Sequence, residues 1–585
     1  MKRLQNKWRI TNPSMLQWGL TLLCGLVVFL FWRYRYPFVL AYQEQLQLFL
    51  FDDDYLVGRL TEPGGFARYV AEFLTQFYNG VTFGALILAV VYMLIQRLTW
   101  QLMRSVSHGS EPTVLYPLSF IPTVMLWYAM GDESVLLMYA VALVMALAAA
   151  VGWIRWASHW ASWMRWPVAL VVIPLLYWLI GAMVLLVAAC MLPLMLALPM
   201  LVYALACILL SSWNLPFPLT SVLLGIGYYR YPETLPYVLM ALPAVVWLLS
   251  WVGRRIGMSH GLSGNHRKLL VVAEIVVVVL VAVLFIPQSY DTRKYELIEY
   301  DYLVRVNHWK GVIAKAEKKM PDLPMSVSAT NLALAMTDQL GDRAFDFYQR
   351  STEGLLPRFE RNYATLQLTG EIFFHLGLVN TAQRFAFEAM EAIPNYNKSA
   401  RVVKRLAETN LINGQYRVAE KYLRLLEKTV FYRRWAQRTL AMLGDETAIN
   451  AHPLYGKLRR YRLQDDLLFH EQELDKICGQ LFIHNPENRM AAQYLLLMPL
   501  LDRDIPRFMQ FVQVVQNRVM YNPRSCQEAI AFAFMQQRQQ PPQGTVSQLV
   551  LQQMNEFARI YSSDKNSPAL TQFKNTVWYY LTKGQ

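Results

Sequence analysis

Over the first 287 residues, long apolar runs alternate with short polar segments, at about 16–32, 80–96, 113–130, 134–154, 167–186, 189–211, 215–229, 235–252 and 269–287. Most approach the roughly 20 residues a helix needs to cross hydrocarbon, which predicts about nine transmembrane spans. The run 215–229 is the weakest, being short and broken by Pro216, Pro218, Gly225 and Gly227. Its alternative is a re-entrant segment, tolerable where protein or water covers the backbone. If it does not cross, every later orientation inverts. Lys2, Arg3, Lys7 and Arg9 precede the first run in the manner of a signal peptide. However, the run is long enough to span, and Arg33-Tyr34-Arg35-Tyr36-Pro37 follows it with no small-residue cleavage site, so it is read as a span.

Beyond Ile286-Pro287 the long runs stop, charges of both signs recur every few residues, and apolar positions fall three and four apart. From Leu366 to Pro394, the residues Gly370, Phe373, Gly377, Ala382, Ala389 and Pro394 fit the spacing of a TPR helix pair, in which small side chains let two antiparallel helices approach. Ala407, Gly414 and Ala419 repeat the spacing. Trp309 to Pro321 reads as a second helix, Asn331 to Gln349 as a pair hinged at Gly341-Asp342, and Gln536 to Gly544 as a loop. The predicted fold is therefore all-α. A polytopic transmembrane helix bundle occupies 1–287, with an outer loop at 37–79, and a TPR-like helical-repeat solenoid occupies 288–585.

Composition agrees: 55% of residues are apolar and 16% charged, too greasy for an ordinary soluble chain of 585 residues. The formal charge of +14 comes with no long basic run, zinc pattern or RNA-binding signature, so no nucleic-acid partner is expected. The charge is better read as topology. The N-terminus, Arg97 to Arg104, Arg155 to Arg165, and Arg254-Arg255 to Arg267-Lys268 are placed in the cytoplasm. Asp132-Glu133, Arg230 to Glu233 and everything after the last span then fall outside. Five tryptophans between Trp153 and Trp166, with His159 among them, suit the headgroup layer; a lipid or ligand cage is the alternative. Of five cysteines, none stands at a C-x-x-C spacing, and only Cys478 and Cys526 are candidates for pairing.

Candidate chemistry lies in the loop 37–79, where Asp52, Asp53 and Asp54 are adjacent. On an exposed turn their repulsion is screened; in a pocket they could hold a divalent cation or act as a general base. Next, Phe66, Tyr69, Val70, Phe73, Leu74 and Phe77 make an apolar stripe, predicting a helix lying at the membrane interface. Arg33, Arg35, Arg59, Arg68 and Arg230 all fall on the outer side, against the usual bias, and are candidates for binding lipid phosphate, in ordinary headgroups or in a phosphate-linked carrier lipid. Glu274 lies within the last run and should pair, face the bundle or be protonated. No Walker A, G-x-S-x-G or H-E-x-x-H motif is present.

Gln45 to Gly84, with Leu48-Phe49-Leu50-Phe51 and Pro63-Gly64-Gly65, together with Asn331-Leu332-Ala333-Leu334 and Gln339-Leu340-Gly341-Asp342, resembles an uncharacterised family of Bacteroidota inner-membrane proteins. That resemblance implies a bacterial inner (cytoplasmic) membrane, and the orientation read from the basic segments then puts the C-terminal half in the periplasm. In layout the chain also resembles GT-C type glycosyltransferases with TPR tails. This second resemblance implies a polyprenyl-phosphate sugar donor and an essential acid in the first outer loop, for which Asp52, Asp53 and Asp54 are the matching positions. Here the acids are followed by Tyr-Leu-Val-Gly, with no second acidic motif beyond Asp132-Glu133, and nine spans is below that class's common count. Two expectations follow: a lipid-linked-sugar glycosyltransferase of the envelope, or a non-catalytic membrane-anchored scaffold whose repeats bind a protein or peptide.

Overall fold

A computed structural model of the chain describes residues 13–106, 113–191, 194–225, 236–256, 264–393, 397–464 and 473–584. Every regular element among them is helical. Two compact units emerge: the first is Met1–Tyr295 with the short segments Pro394–Ser399 and Lys428–Phe431, and the second holds the remainder.

In the first unit the chain forms α1 (Pro13–Leu30), α2 (Pro37–Glu44), α3 (Asp53–Leu60), α4 (Gly65–Thr75), α5 (Val81–Val106), α6 (Ile121–Ala129), α7 (Met138–Ala157), α8 (Ser162–Ile180), α9 (Val184–Cys190), α10 (Leu194–Ser212), α11 (Leu219–Leu224), α12 (Tyr237–Ile256) and α13 (Gly264–Phe285). Seven helical stretches among the described residues are long and apolar enough to cross a membrane, with a shorter one at Pro117–Ala129. Of the nine apolar runs expected to span, seven candidate spans are found among the described residues. Over its described residues 215–225, the run 215–229 yields the six residues of α11, about 9 Å at 1.5 Å per residue, with Pro218 at its start and Gly225 ending it in a left-handed conformation; residues 226–229 lie outside the described residues. The run 113–130 begins with two 3-10 turns and gives a nine-residue α6.

Specific contacts fix the register of these helices. Gln96 of α5 accepts from Thr21 of α1 at 2.8 Å and donates to Ser119 at 2.7 Å, while Tyr116 donates to the Gln17 carbonyl at 2.5 Å. Side-chain hydrogen bonds of this kind hold apolar helices together where burial alone gives no preference. A Cβ on Gly253 of α12 would stand 2.9 Å from the Met103 carbonyl oxygen of α5, so the C-terminal parts of these two helices lie against each other. Tyr203 and Tyr177 pair α10 with α8 through the Leu170 carbonyl (3.4 Å) and Ser211 (2.5 Å), which makes α8 and α10 parallel.

Between those two parallel helices the chain must turn twice. Gly181 breaks α8 at φ +63° and ψ −143°, a region essentially confined to glycine. From there α9 runs for seven residues, until Trp247 of α12 donates its indole N–H to the Ala189 carbonyl at 3.2 Å. Leu239, whose carbonyl accepts from Tyr139 of α7 at 2.5 Å, lies about 12 Å back along α12 from Trp247. Gly253 lies about 9 Å further on. Thus α9 ends near the middle of α12, and α10 returns from there toward the Gly181 end.

The second unit contains α14 from Glu296 onward (Thr292–Arg305), α15 (Trp309–Lys318), α16 (Pro324–Met336), α17 (Leu340–Arg343), α18 (Tyr363–Leu376), α19 (Val379–Glu391), α20 (Ala400–Ile412) and α21 (Tyr416–Glu427), followed by further short helices to Lys583. Consecutive helices pack as pairs, most extensively α18 with α19 and α20 with α21. Phe373, Ala382 and Ala389 are fully buried, and a Cβ on Gly370 would rest 3.6 Å from Phe385, so the small residues sit where the two helices approach. Pro394 of the same pattern lies outside the described residues. The pair expected at Asn331 to Gln349 is not formed: α17 is four residues long, and Gly341 lies inside it against Pro523 and Tyr521. The loop at Gln536 to Gly544 does separate the helix Arg524–Gln536 from the helix Gln548–Ser563.

Candidate functional site

The loop 37–79 folds into α2, α3 and α4, and α4 turns its polar side inward. Arg68, Ala71, Glu72 and Thr75 are buried, whereas Phe66 is exposed and Tyr69, Val70, Phe73, Leu74 and Phe77 are half-buried. A helix that sheds its apolar stripe outward and buries an ion pair suits a surface in contact with lipid.

Glu72, 3% exposed, is the hub of this loop. One of its oxygens accepts from Arg68 Nε at 3.0 Å; the other accepts from Arg59 Nε at 2.7 Å and from the Tyr55 hydroxyl at 2.5 Å. Arg68, 4% exposed, also donates to Glu62 at 3.0 Å and to the Asn397 amide oxygen at 3.2 Å. Burial, reinforced by the Glu72 charge, pushes the Tyr55 phenol well above its usual range. Burial works against the Arg59 charge too, but Glu72 and Tyr55 outweigh it and hold its pKa above the ordinary value. Phe49 nests beside this cluster, with the rings of Phe51, Tyr55, Tyr69 and Phe73 at 5.1–5.5 Å.

The three acids are treated unequally. Asp52 precedes α3 and pairs with Lys428 at 2.9 Å, while the Phe51 N–H donates to the Lys428 carbonyl at 2.9 Å. Asp53 and Asp54 occupy the first turn of α3 and are exposed, where the positive end of the helix favours their charge. Among the described residues no group of three or more His, Cys, Asp or Glu side chains is placed to hold a metal ion. Of the five arginines, Arg59 and Arg68 converge on Glu72. Arg33 and Arg35 lie in a separate π-helical turn against the rings of Tyr34 and Tyr36 (5.2 and 5.5 Å), and Arg230 lies outside the described residues. Glu274 is in α13, and its Oε2 has no hydrogen-bond partner. The thiols of Cys478 and Cys526 are free and buried. Trp156, Trp163 and Trp166 are exposed, as a headgroup anchor requires, whereas Trp153 is buried edge-on to Trp160.

A family pattern matches residues 13–584 of the chain, described as a family of unknown function, DUF6057. The chain belongs to the DUF6057 family. Its match takes in both units, the acidic loop and the repeats alike. No curated protein and no solved structure matches the chain.

A second charged cluster, not singled out from the sequence, lies within the helical pairs. Arg401 of α20 donates to both oxygens of Asp301 at 2.9 Å and to Glu371 of α18 at 3.4 Å. Arg405 donates to Glu371 at 2.6 Å and to Glu408 at 3.0 Å, with its guanidinium 3.5 Å from the centre of the Phe374 ring. Although burial alone would raise it, the carboxyl of Glu371 is held down at about 2 by Arg405 and Arg401. His375, one turn on, is pushed down to about 4 by burial, against the pull of Glu371. The signal for this cluster was present as i, i+4 spacings, Glu371 with His375 and Arg401 with Arg405. What the sequence lacked was the third helix that supplies Asp301.

Proposed function

We propose that this DUF6057 protein is a scaffold of the bacterial cytoplasmic membrane, which holds a TPR-like array on the outer side to bind envelope proteins or peptides. The carrying observation is how the loop 37–79 spends its charge. Arg59, Arg68, Glu62, Glu72 and Asp52 are consumed in contacts among themselves and with Asn397 and Lys428. Such a loop serves as a rigid brace. Buried pairs of this kind specify one arrangement while adding little net stability.

The orientation we adopt rests on the positions of the basic residues together with these registers. In this reading α1, α5, α7, α8, α12 and α13 cross together with the shorter stretch 113–129, whereas α10, although long and apolar enough to span, forms with α9 a re-entrant hairpin entering from the outer face. Arg97, Arg104, Arg155, Arg165 and Arg254 then lie toward the cytoplasm. Losing both 189–211 and 215–229 as crossings leaves the count odd, so the N-terminus stays inside and the repeats outside. Photocrosslinking residues placed at the exposed Phe359 and Phe387 in the full-length protein should capture a discrete partner. A diffuse background at both positions would contradict the scaffold.

A glycosyltransferase resembling the GT-C type is the second reading, favoured by the exposure of Asp53 and Asp54 on the first turn of α3. Such an enzyme would take a polyprenyl-phosphate sugar as donor. The Asp53→Asn, Asp54→Asn double variant separates the two. The scaffold predicts an unchanged envelope glycan profile and unchanged crosslinks, and loss of a glycan with crosslinks intact would favour the enzyme.

A further inference from the structure

The short descent of α9 and the return of α10 leave a cavity of about 640 Å³ beside α12, inside the first unit. Its wall includes Ala182 and Ala189 before and within α9, Ala197 and Leu201 of α10, and Ala244 and Trp247 of α12, with Leu223 and Leu224 of α11 closing one side. The polar side-chain atoms among its lining residues are already engaged: the Tyr139 hydroxyl donates to the Leu239 carbonyl and the Trp247 indole to the Ala189 carbonyl. An apolar cavity without free polar partners does not hold ordered water. Its volume falls in the roughly 300–1,000 Å³ range of ligand pockets. On the open side stand Leu198, Met240 and Trp247, at 67%, 47% and 40% exposure, on helices long and apolar enough to lie in a bilayer. The entrance therefore faces whatever solvates those helices.

We propose that this cavity is a binding site for a single hydrocarbon chain of a membrane lipid, which enters sideways between α10 and α12. The chemistry admits nothing polar, and alanines at positions 182, 189, 197 and 244 keep the wall thin where larger residues would fill the space. Gly181, at φ +63° and ψ −143°, ends α8 and turns the chain into the short α9 that lines the cavity. Filling the site recovers apolar contacts that an empty cavity forfeits. The inference is independent of the scaffold reading, since neither Asp53 nor the repeats take part.

The test uses full-length protein in vesicles of phosphatidylethanolamine and phosphatidylglycerol, with a trace of phosphatidylcholine carrying a photoreactive group near the end of one acyl chain. Illumination followed by peptide mapping should give a dominant adduct within 182–201 or 236–247. In Ala197→Trp, and separately in the milder Ala244→Phe, that adduct should fall roughly tenfold, the loss expected for about 1.4 kcal/mol of contact. Val277→Trp, on an exposed position of α13, should leave it unchanged. Adducts spread evenly over the exposed faces of α1 and α13 would overturn the proposal, showing only boundary lipid. A dominant adduct that persists in well-folded, monodisperse Ala244→Phe protein would overturn it equally.

Discussion

Arg68 and Glu72 show what a single residue can carry in this protein. Both are buried and pair with each other at 3.0 Å, with Glu62, Arg59 and Asn397 completing the shell. Removing one partner strands the rest, and breaking a buried pair costs about 3–5 kcal/mol. Glu72→Gln should therefore lower the thermal midpoint in detergent markedly, whereas Asp54→Asn, at an exposed position, should shift it little; equal shifts would contradict the geometry. His375 makes a second residue-scale prediction. Unfolded, its imidazole takes a proton near 6.5, and folded only near 4. Between those values the unfolded chain binds more protons, so stability is full above 6.5 and falls as pH drops toward 4. Glu371, depressed from 4.5 to about 2, extends the loss in the same direction at lower pH. Denaturation followed across this range should show that slope, and His375→Gln should flatten its upper part. At this scale the sequence displayed Asp52 to Asp54 as a cluster but could not display Lys428, which meets Asp52 only through tertiary folding.

Among the elements, the informative case is the run 189–211. Hydropathy reports how apolar a segment is, not which way it travels, so α9 and α10 read as parts of two crossings. The deciding residue is Gly181, whose φ and ψ no other residue adopts cheaply, and whose backbone abuts Gly64, itself at φ +78°. The Gly64 N–H donates to the Trp178 carbonyl, and the Trp178 indole to the Leu60 carbonyl, both at 2.8 Å. Gly181→Ala should thus cost about 1–3 kcal/mol of strain and loosen the loop from the end of α8. Faster proteolysis within 60–64 would report this; wild-type cleavage rates there would count against it. The helix α4 was legible in its extent, since its stripe begins at Phe66. Its buried side was not, because Arg68 and Glu72 read as solvent-facing until their partners are seen.

On the scale of the whole molecule, the all-helical character and the change from long apolar runs to short amphipathic pairs were legible from periodicity alone. The helix pairing was readable where small residues mark helix contacts, as at Gly370 and Ala382, and not where α17 ends early against Pro523. In the proposed reading two apolar runs, 189–211 and 215–229, do not cross, which keeps the sidedness expected from the basic segments. The account's central claim is that the N-terminus and the repeats lie on opposite sides of the membrane. Single cysteines at Met520, fully exposed, and at Ser158, between α7 and α8, test this directly with an impermeant maleimide. With the cytoplasmic membrane intact, Met520→Cys should label fully and Ser158→Cys only after permeabilisation; labelling of Ser158→Cys alone, or of both alike, would contradict the account.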